Sequence, residues 1–296
     1  MKKILVFHYD AFSSVPNKGN PAGVVISDQC LTDSQMQEIA NKVGFNETAF
    51  VVNSDKANLG IRYFTPGHEM NLCGHATVAT IYCLKSRGML GDSNSLTIET
   101  KSGIIPISIL EQEKNIRIIM GQNTPQFKEY QGSLEKLADS LGISVKDFDL
   151  TFPIVYGNTG TWTLLVPITR LDTFSSMIPK NELFPSFLDE IPSSSIHPFC
   201  LETLKTYTHM HSRHFSSPFS GTIEDPVTGT ASGVMGAYYT TFINPSISKI
   251  QLVMEQGQEI NRDGEVFVTV EKQGTKIVVT VSGTAVYINN IIIEYS

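Results

Sequence analysis

Two short stretches, far apart in the chain, carry the residue types that proton chemistry needs. The first, Glu224-Asp225-Pro226-Val227-Thr228-Gly229-Thr230-Ala231-Ser232-Gly233, sets two carboxylates and a proline before small residues that can open a helix. Pro226 fixes its own φ and disfavours helix at Asp225, while the glycines and small side chains let backbone N–H groups come close to a ligand. The run that follows, Val234 to Tyr239, is apolar enough for a buried helix, and the free amides at its start suit a substrate carboxylate. The second stretch, Cys73-Gly74-His75-Ala76-Thr77, likewise ends an extended run, Ile61 to Phe64, and opens a small-residue helix, Val78 to Leu84. Lys85, Arg87 and Gly88 supply its basic last turn and stop. A third candidate is Glu47, at a helix-to-strand junction. Position alone fits both a carboxylate projecting into a cleft and one solvated at the surface.

A carboxylate held among apolar walls can serve as base and then as acid on one substrate. His75, at a helix start, is expected to stay neutral because the helix dipole disfavours imidazolium there. A hydrogen-bonding or relay role and a satisfied structural role are both open to it. Other chemistries have less support. Ser232 lies outside any G-x-S-x-G elbow, and no catalytic triad is legible. Gly19, Gly23, Gly74 and Gly229 form neither a phosphate loop nor a dinucleotide fingerprint. A two-thiol racemase would need a cysteine in each half, yet none follows Cys200. His209, His211 and Arg213 alternate as if on one strand face, and His-x-His is a possible metal pair, although no acidic third ligand stands at an obvious spacing.

The elements that must position these residues can be traced in order. Ile4 to Phe7 begins like a signal peptide, but His8, Tyr9 and Asp10 interrupt it, so a first strand is expected. Thr32 to Gln35 has capping-box spacing, and Met36, Ile39, Ala40 and Val43 make an amphipathic helix ending near Gly44. Each candidate helix start is followed by a β-rich tract, Leu96 to Met120 after the first and Ile250 to Val281 after the second. Gly74 precedes Gly103, and Gly229 precedes Gly257, by nearly the same interval, which reads as a weak internal duplication. Ser133 can cap a helix with Leu134, Leu137, Ala138 and Leu141 on one stripe, and Pro153 to Pro167 reads as a strand pair.

With 296 residues, two domains are the default. A net charge of −7 gives no broad basic footprint for nucleic acid or anionic lipid. No run approaches the roughly 20 apolar residues of a membrane span. Cys30, Cys73, Cys83 and Cys200 lack metal-finger spacing and are expected to be reduced thiols in a cytoplasmic protein.

Taken together, GNPAG (residues 19–23), NETAFV (46–51), RYFTP (62–66), LCGHAT (72–77) and EDPVTGTA (224–231) form an ordered set. With it the chain resembles the phenazine-biosynthesis PhzF-like family. The resemblance implies an α+β, diaminopimelate-epimerase-like fold of two similar halves, each a mostly antiparallel curled sheet around a central helix, with the active site between them. Expected boundaries are 1–118 plus 284–296 for one half, completed by a last strand at Ile291 to Tyr295, and 119–283 for the other. The family's proton-transfer chemistry, done without metal or organic cofactor, implies an isomerase acting on a small carboxylate-bearing substrate. It also implies catalytic roles for Glu47, His75 and Asp225, substrate-binding roles for Gly74, Thr77, Gly229 and Thr230, and a homodimer. Thr230 stands where the family usually has serine. An amino-acid racemase or epimerase and a non-catalytic small-molecule sensor are the competing readings.

Overall fold

The computed structural model describes residues 1–112 and 115–296, and the chain divides into two compact units, Met1–Gly121 with Ser282–Ser296, and Gln122–Val281.

In the first unit the strands are β1 (Lys2–Ala11), β2 (Asn20–Ile26), β3 (Glu47–Val52), β4 (Leu59–Phe64), β5 (Glu69–Met70), β6 (Ser95–Thr100), β7 (Gly103–Gln112) and β8 (Asn115–Gly121). A C-terminal strand, Ala285–Tyr295, runs antiparallel to β1, with Lys2 opposite Tyr295 and Ala11 opposite Ala285. β1 pairs on its other side with β2. β2 and β3 are parallel, and β3 and β4 antiparallel. β4 meets β6 in parallel, and β6, β7 and β8 form an antiparallel meander.

Two helices serve this sheet differently, and their sequences say why. α1 (Asp33–Val43) has the capping box its sequence predicts, with Thr32 Oγ1 accepting from the Gln35 amide, and it ends at Gly44 with φ 73°. Only one stripe of it is buried, Met36, Ile39 and Ala40, against Ile4, Val25, Phe50 and Phe64. α2 (Gly74–Ser86) is instead buried on every side from His75 to Ile81, and it packs on β1, β2, β3, β8 and the C-terminal strand. A helix without a polar face has to be enclosed, and here the strands close around it.

The second unit repeats that logic. Its strands are β9 (Gln126–Glu129), β10 (Val155–Asn158), β11 (Trp162–Pro167), β12 (Ser195–Cys200), β13 (Met210–Ser212), β14 (Lys249–Gln256), β15 (Gly264–Gln273) and β16 (Lys276–Gly283). Pairing runs from β9 through β10 and β11 to β12, then through β13 and β14 to β15. α3 (Leu134–Leu141), capped by Ser133, buries Leu137, Ala138 and Leu141 in a cluster with Phe174, Phe184 and Phe187. α4 (Gly229–Tyr238) is the enclosed helix, buried from Ala231 to Tyr238 and packed on β10 and β15. The chain turns at Thr206 and Tyr207, where the Thr208 amide and hydroxyl both donate to the Lys205 carbonyl, and the strand begins only at Met210, so His209 lies outside it.

Gly257, just after β14, has φ 93°, and a side chain there would come within 2.7 Å of the Pro226 carbonyl oxygen and closer still to that of Arg262. Gly257→Ala therefore incurs both left-handed strain and a collision with the loop that carries Asp225. A loss of about 1–3 kcal/mol in urea unfolding is expected, and an unchanged midpoint would contradict this reading.

Candidate active site

Glu47 opens β3 and lies opposite Ala22 in the parallel register with β2, whose first residue is Asn20. α1 delivers the chain to this point, since its glycine stop leaves only Phe45 and Asn46 before the strand. Cys73 is the N-cap of α2, and His75 is its second residue. Three elements of the first unit thus bring four polar side chains together. His75 Nε2 lies 3.1 Å from Glu47 Oε2, and His75 Nδ1 lies 3.1 Å from Asn20 Nδ2 and 3.4 Å from Cys73 Sγ.

His75 is 7% exposed and Asn20 fully buried, whereas Glu47 keeps 15% of its side chain open. The Glu47 carboxylate is close enough for charge attraction to the imidazole but misaligned for a well-formed hydrogen bond, so Oε2 is buried without a hydrogen-bond partner. The structure reverses the expectation that the helix dipole keeps His75 neutral. Burial opposes imidazolium, yet Cys73 and Glu47 outweigh it and hold the His75 pKa well above its ordinary value. The dipole acts through the first turn alone, while the carboxylate is a full charge at contact distance. Cys73 itself is pushed up, first by burial and then by Glu47, with His75 pulling the other way.

The first turn of α2 has no side-chain cap. Thr77 cannot supply one, because its hydroxyl donates to the Cys73 carbonyl at 2.7 Å and meets the buried Tyr63 hydroxyl at 2.6 Å. That leaves Thr77 fixing the turn, with the amides of Gly74, His75 and Ala76 outside the helical ladder. Apart from its two chain neighbours and the backbone of its own helix, no heavy atom stands within 4 Å of where a Gly74 side chain would begin.

In the second unit, Asp225 lies before α4. Its Oδ2 accepts the Thr228 hydroxyl at 2.5 Å, and its amide donates to the His214 carbonyl. Gln256 ties the loop down: its Oε1 accepts the Thr228 amide, and its Nε2 donates to the Asp225 carbonyl at 2.7 Å. With the Thr228 hydroxyl turned toward Asp225, α4 also starts without a side-chain cap at Gly229 and Thr230. The methyl that threonine adds over serine at residue 230 lies toward Gly160. Glu224, the other carboxylate of the motif, is an anchor. It holds Arg213 through two bonds of 2.9 and 2.6 Å, and Arg213 also donates to the carbonyls of Phe174 and Met177.

His209 and His211 do not form a metal pair. His211 is fully buried and bonded to Glu255 and Glu259, while His209 is exposed and its Nδ1 accepts the Val253 amide. Among the described residues, the one convergent group of three metal-capable side chains is Glu47, Cys73 and His75, whose ligand atoms all lie within 4.8 Å of one another. A cavity of about 560 Å³ in the second unit, bordered by Arg170, Asp172, Glu202 and Glu259, contains none of the expected site residues. Sequence reading passed over Asn20, although it sits in GNPAG, and gave Gln256 no role, although a long side chain beside a positive-φ glycine was the available signal.

Buried histidines near Asp225 make stability pH-dependent. Burial lowers the His214 pKa to about 4 against a weaker opposing pull from Asp225, and burial with His214 beside it holds that of His197 well below its ordinary value. Between about pH 6.5 and 4 the unfolded chain takes up a proton that folded His214 refuses, so stability falls as pH falls through that window. His214 alone accounts for about 3 kcal/mol. His75 and His211, with raised pKa values, run the other way and lose their contribution as pH rises through those values. Urea unfolding at pH 7 and 4.5, compared between the parent and His214→Gln, should show a smaller acid loss in the variant. Equal losses would overturn the assignment.

Comparison with known proteins matches the profile of the phenazine biosynthesis-like protein family to residues 9–290. A Bacillus subtilis protein described as an uncharacterized isomerase is 50% identical over 287 residues, 97% of each chain. The crystal structure of a Bacillus anthracis phenazine biosynthesis protein of the PhzF family superposes with a TM-score of 0.97 at 55% identity, covering 99% of this chain and 100% of that one. A Pseudomonas aeruginosa trans-2,3-dihydro-3-hydroxyanthranilate isomerase is 28% identical over 277 residues, 93% of each chain.

Proposed function

The chain belongs to the phenazine biosynthesis-like PhzF family of isomerases, and from that premise we propose that it moves a proton on a small carboxylate-bearing substrate with Glu47 as the acid/base and no cofactor. The observation that carries this reading is the Glu47 carboxylate, buried against His75 with one oxygen lacking a hydrogen-bond partner. An oxygen so placed is ready to accept a proton, and burial makes its return to another carbon of the same substrate faster than its loss to water. The product would be an isomer, with no change in oxidation state. His75 orients the substrate and offsets negative charge that develops during transfer. Gly74 and Gly229 present uncapped helix amides to a carboxylate, and Asp225 and Thr230 orient polar groups of the substrate. Thr77 supports its helix turn.

Of the relatives' substrates, trans-2,3-dihydro-3-hydroxyanthranilate is the one to try first, followed by small cyclic and acyclic carboxylates. Cys73 beside His75 favours amino-acid epimerisation as the second reading, which product chirality separates from double-bond isomerisation. We place the enzyme in the cytoplasm and read it as a homodimer with no nucleic-acid or membrane partner. A monomer in sedimentation at micromolar concentration would contradict the dimer.

Solvent-deuterium incorporation into substrate, measured with a chelator present, is the decisive assay. Glu47→Gln keeps the side chain's shape but cannot take a proton, so turnover should drop by about 10²–10⁴-fold or more while ligand binding persists. Asp225→Asn should weaken binding as well. Near-normal exchange in Glu47→Gln would move the base elsewhere, and no exchange in the parent with any bound carboxylate would favour a sensor.

A further inference from the structure

We propose that Asn20 is a positioning residue of the proton transfer: its amide turns over with the charge of His75, donating to Nδ1 of the neutral ring and accepting from Nδ1 of the imidazolium, so that the ring stays fixed in both states. The placement of Asn20 carries this. It is fully buried at the first residue of β2, opposite Ala11, with its amide nitrogen 3.1 Å from His75 Nδ1. Its neighbours leave it little freedom. Gly19 has φ 75°, and a side chain there would collide with the Ala11 carbonyl oxygen, while Pro21 has a fixed φ of its own. The GNPAG motif thus aims one side chain at one ring nitrogen.

The other groups around the ring cannot take that place. Glu47 stands at the opposite nitrogen, 3.1 Å from Nε2. Cys73 Sγ lies 3.4 Å from Nδ1 and 3.8 Å from Nε2, and such near-equal distances put it beside the ring, out of line with either lone pair. Of the strands around α2, β2 carries no titratable side chain, and β8 buries Ile116, Ile118 and Met120 with Arg117 turned the other way. On β1 and the C-terminal strand, His8 bonds to Asp10, Tyr9 meets Tyr287, and Lys3 pairs with Glu294. The Tyr63 hydroxyl of β4 is engaged with Thr77. Burial opposes the charge of His75, and the titratable groups that raise its pKa against burial are Cys73 and Glu47.

A neutral imidazole has one donor and one acceptor, whereas imidazolium has two donors. A half-turn of the Asn20 amide exchanges nitrogen for oxygen at the ring and moves no other heavy atom. The neutral ring accepts from Nδ2 and keeps its proton on Nε2; the imidazolium gives its Nδ1 hydrogen bond to Oδ1. The service to turnover rests on the reading of Glu47 as the acid/base. Once Glu47 has taken the substrate proton, its charge is gone and its attraction for the imidazolium goes with it. Asn20 is neutral throughout, so its bond to Nδ1 persists while negative charge stands on the substrate.

Nitrogen-15 NMR of the His75 ring in the ligand-free chain, assigned against His75→Gln, is the first measurement. Asn20→Leu fills the same space but can neither donate nor accept, so the His75 pKa should fall by about one pH unit or more, whereas Asn20→Asp accepts and adds a charge, so it should rise. The second measurement is the pH profile of solvent-deuterium exchange with trans-2,3-dihydro-3-hydroxyanthranilate or, if that is inert, with whichever small carboxylate the parent exchanges. Activity that needs imidazolium is lost as pH rises through the His75 pKa. The alkaline limb should therefore move to lower pH in Asn20→Leu and to higher pH in Asn20→Asp, with kcat near neutrality about tenfold or more lower in Asn20→Leu and KM little changed. If Asn20→Leu fails to fold by circular dichroism, Asn20→Ala takes its place. A His75 pKa unmoved in the folded apolar variant, or moved the same way in both variants, would overturn the role. If the pKa moves as expected and the alkaline limb does not follow, Asn20 holds the ring without serving the transfer and the proposal fails, while the role of Glu47, read from Glu47→Gln, is untouched.

Discussion

An imidazole shut away from water has to find its polar partners inside the protein, and His75 imposes that requirement on the whole first unit. Its ring stands at the start of an all-round buried helix, so partners can come only from the strands that enclose α2 and from the adjacent cap. β2 supplies Asn20, β3 supplies Glu47, and Cys73 closes the set. Each of these depends on something further out: Glu47 on the glycine stop of α1, the β2–β3 register on parallel pairing, and the first turn of α2 on the hydroxyl pair of Thr77 and Tyr63. Removing one partner of a buried charged group costs more than the contact itself, because the other is left unpaired.

The second unit meets a similar demand by different means. Its motif loop has no buried histidine at the helix start. A glutamine side chain reaches over from the end of β14 and satisfies both an amide and a carbonyl of the loop, while Glu224 is taken out of the chemistry by Arg213. The loop is therefore rigid on both sides of Asp225. Fixed backbone amides are what anion recognition requires, since donors held in place need no reorganisation when charge arrives.

How much of this was legible in the sequence depended on the distance over which each feature is decided. The capping box at Thr32, the left-handed stop at Gly44 and the stripe of α3 rest on neighbours within a turn or two, and each formed as its spacing predicts. The two enclosed helices were visible as runs without a polar face, and the family resemblance carried the fold. The charge state of His75 was not legible. Its pKa is raised against burial by Cys73 and by Glu47, and Glu47 lies 28 residues earlier in the chain, where no local rule sees that carboxylate. The pairing of His209 with His211 failed for the opposite reason, because period-two alternation was extended past the point where Lys205 and Thr208 had already turned the chain.

The C-terminal strand of the first unit has a consequence for how the protein is made. β1 is flanked by β2 on one side and by Ala285–Tyr295 on the other, and residues 122–281, the whole second unit, emerge from the ribosome in between. At about 5–20 residues per second, that leaves one edge of β1 unpaired for roughly 10–30 s of synthesis. Edges of this kind recruit other strands. Val6, fully buried in the finished sheet, belongs to the surface that waits. The nascent chain thus passes through an interval in which β1 holds one edge open, and anything that slows translation through the second unit lengthens that exposure without altering the final structure.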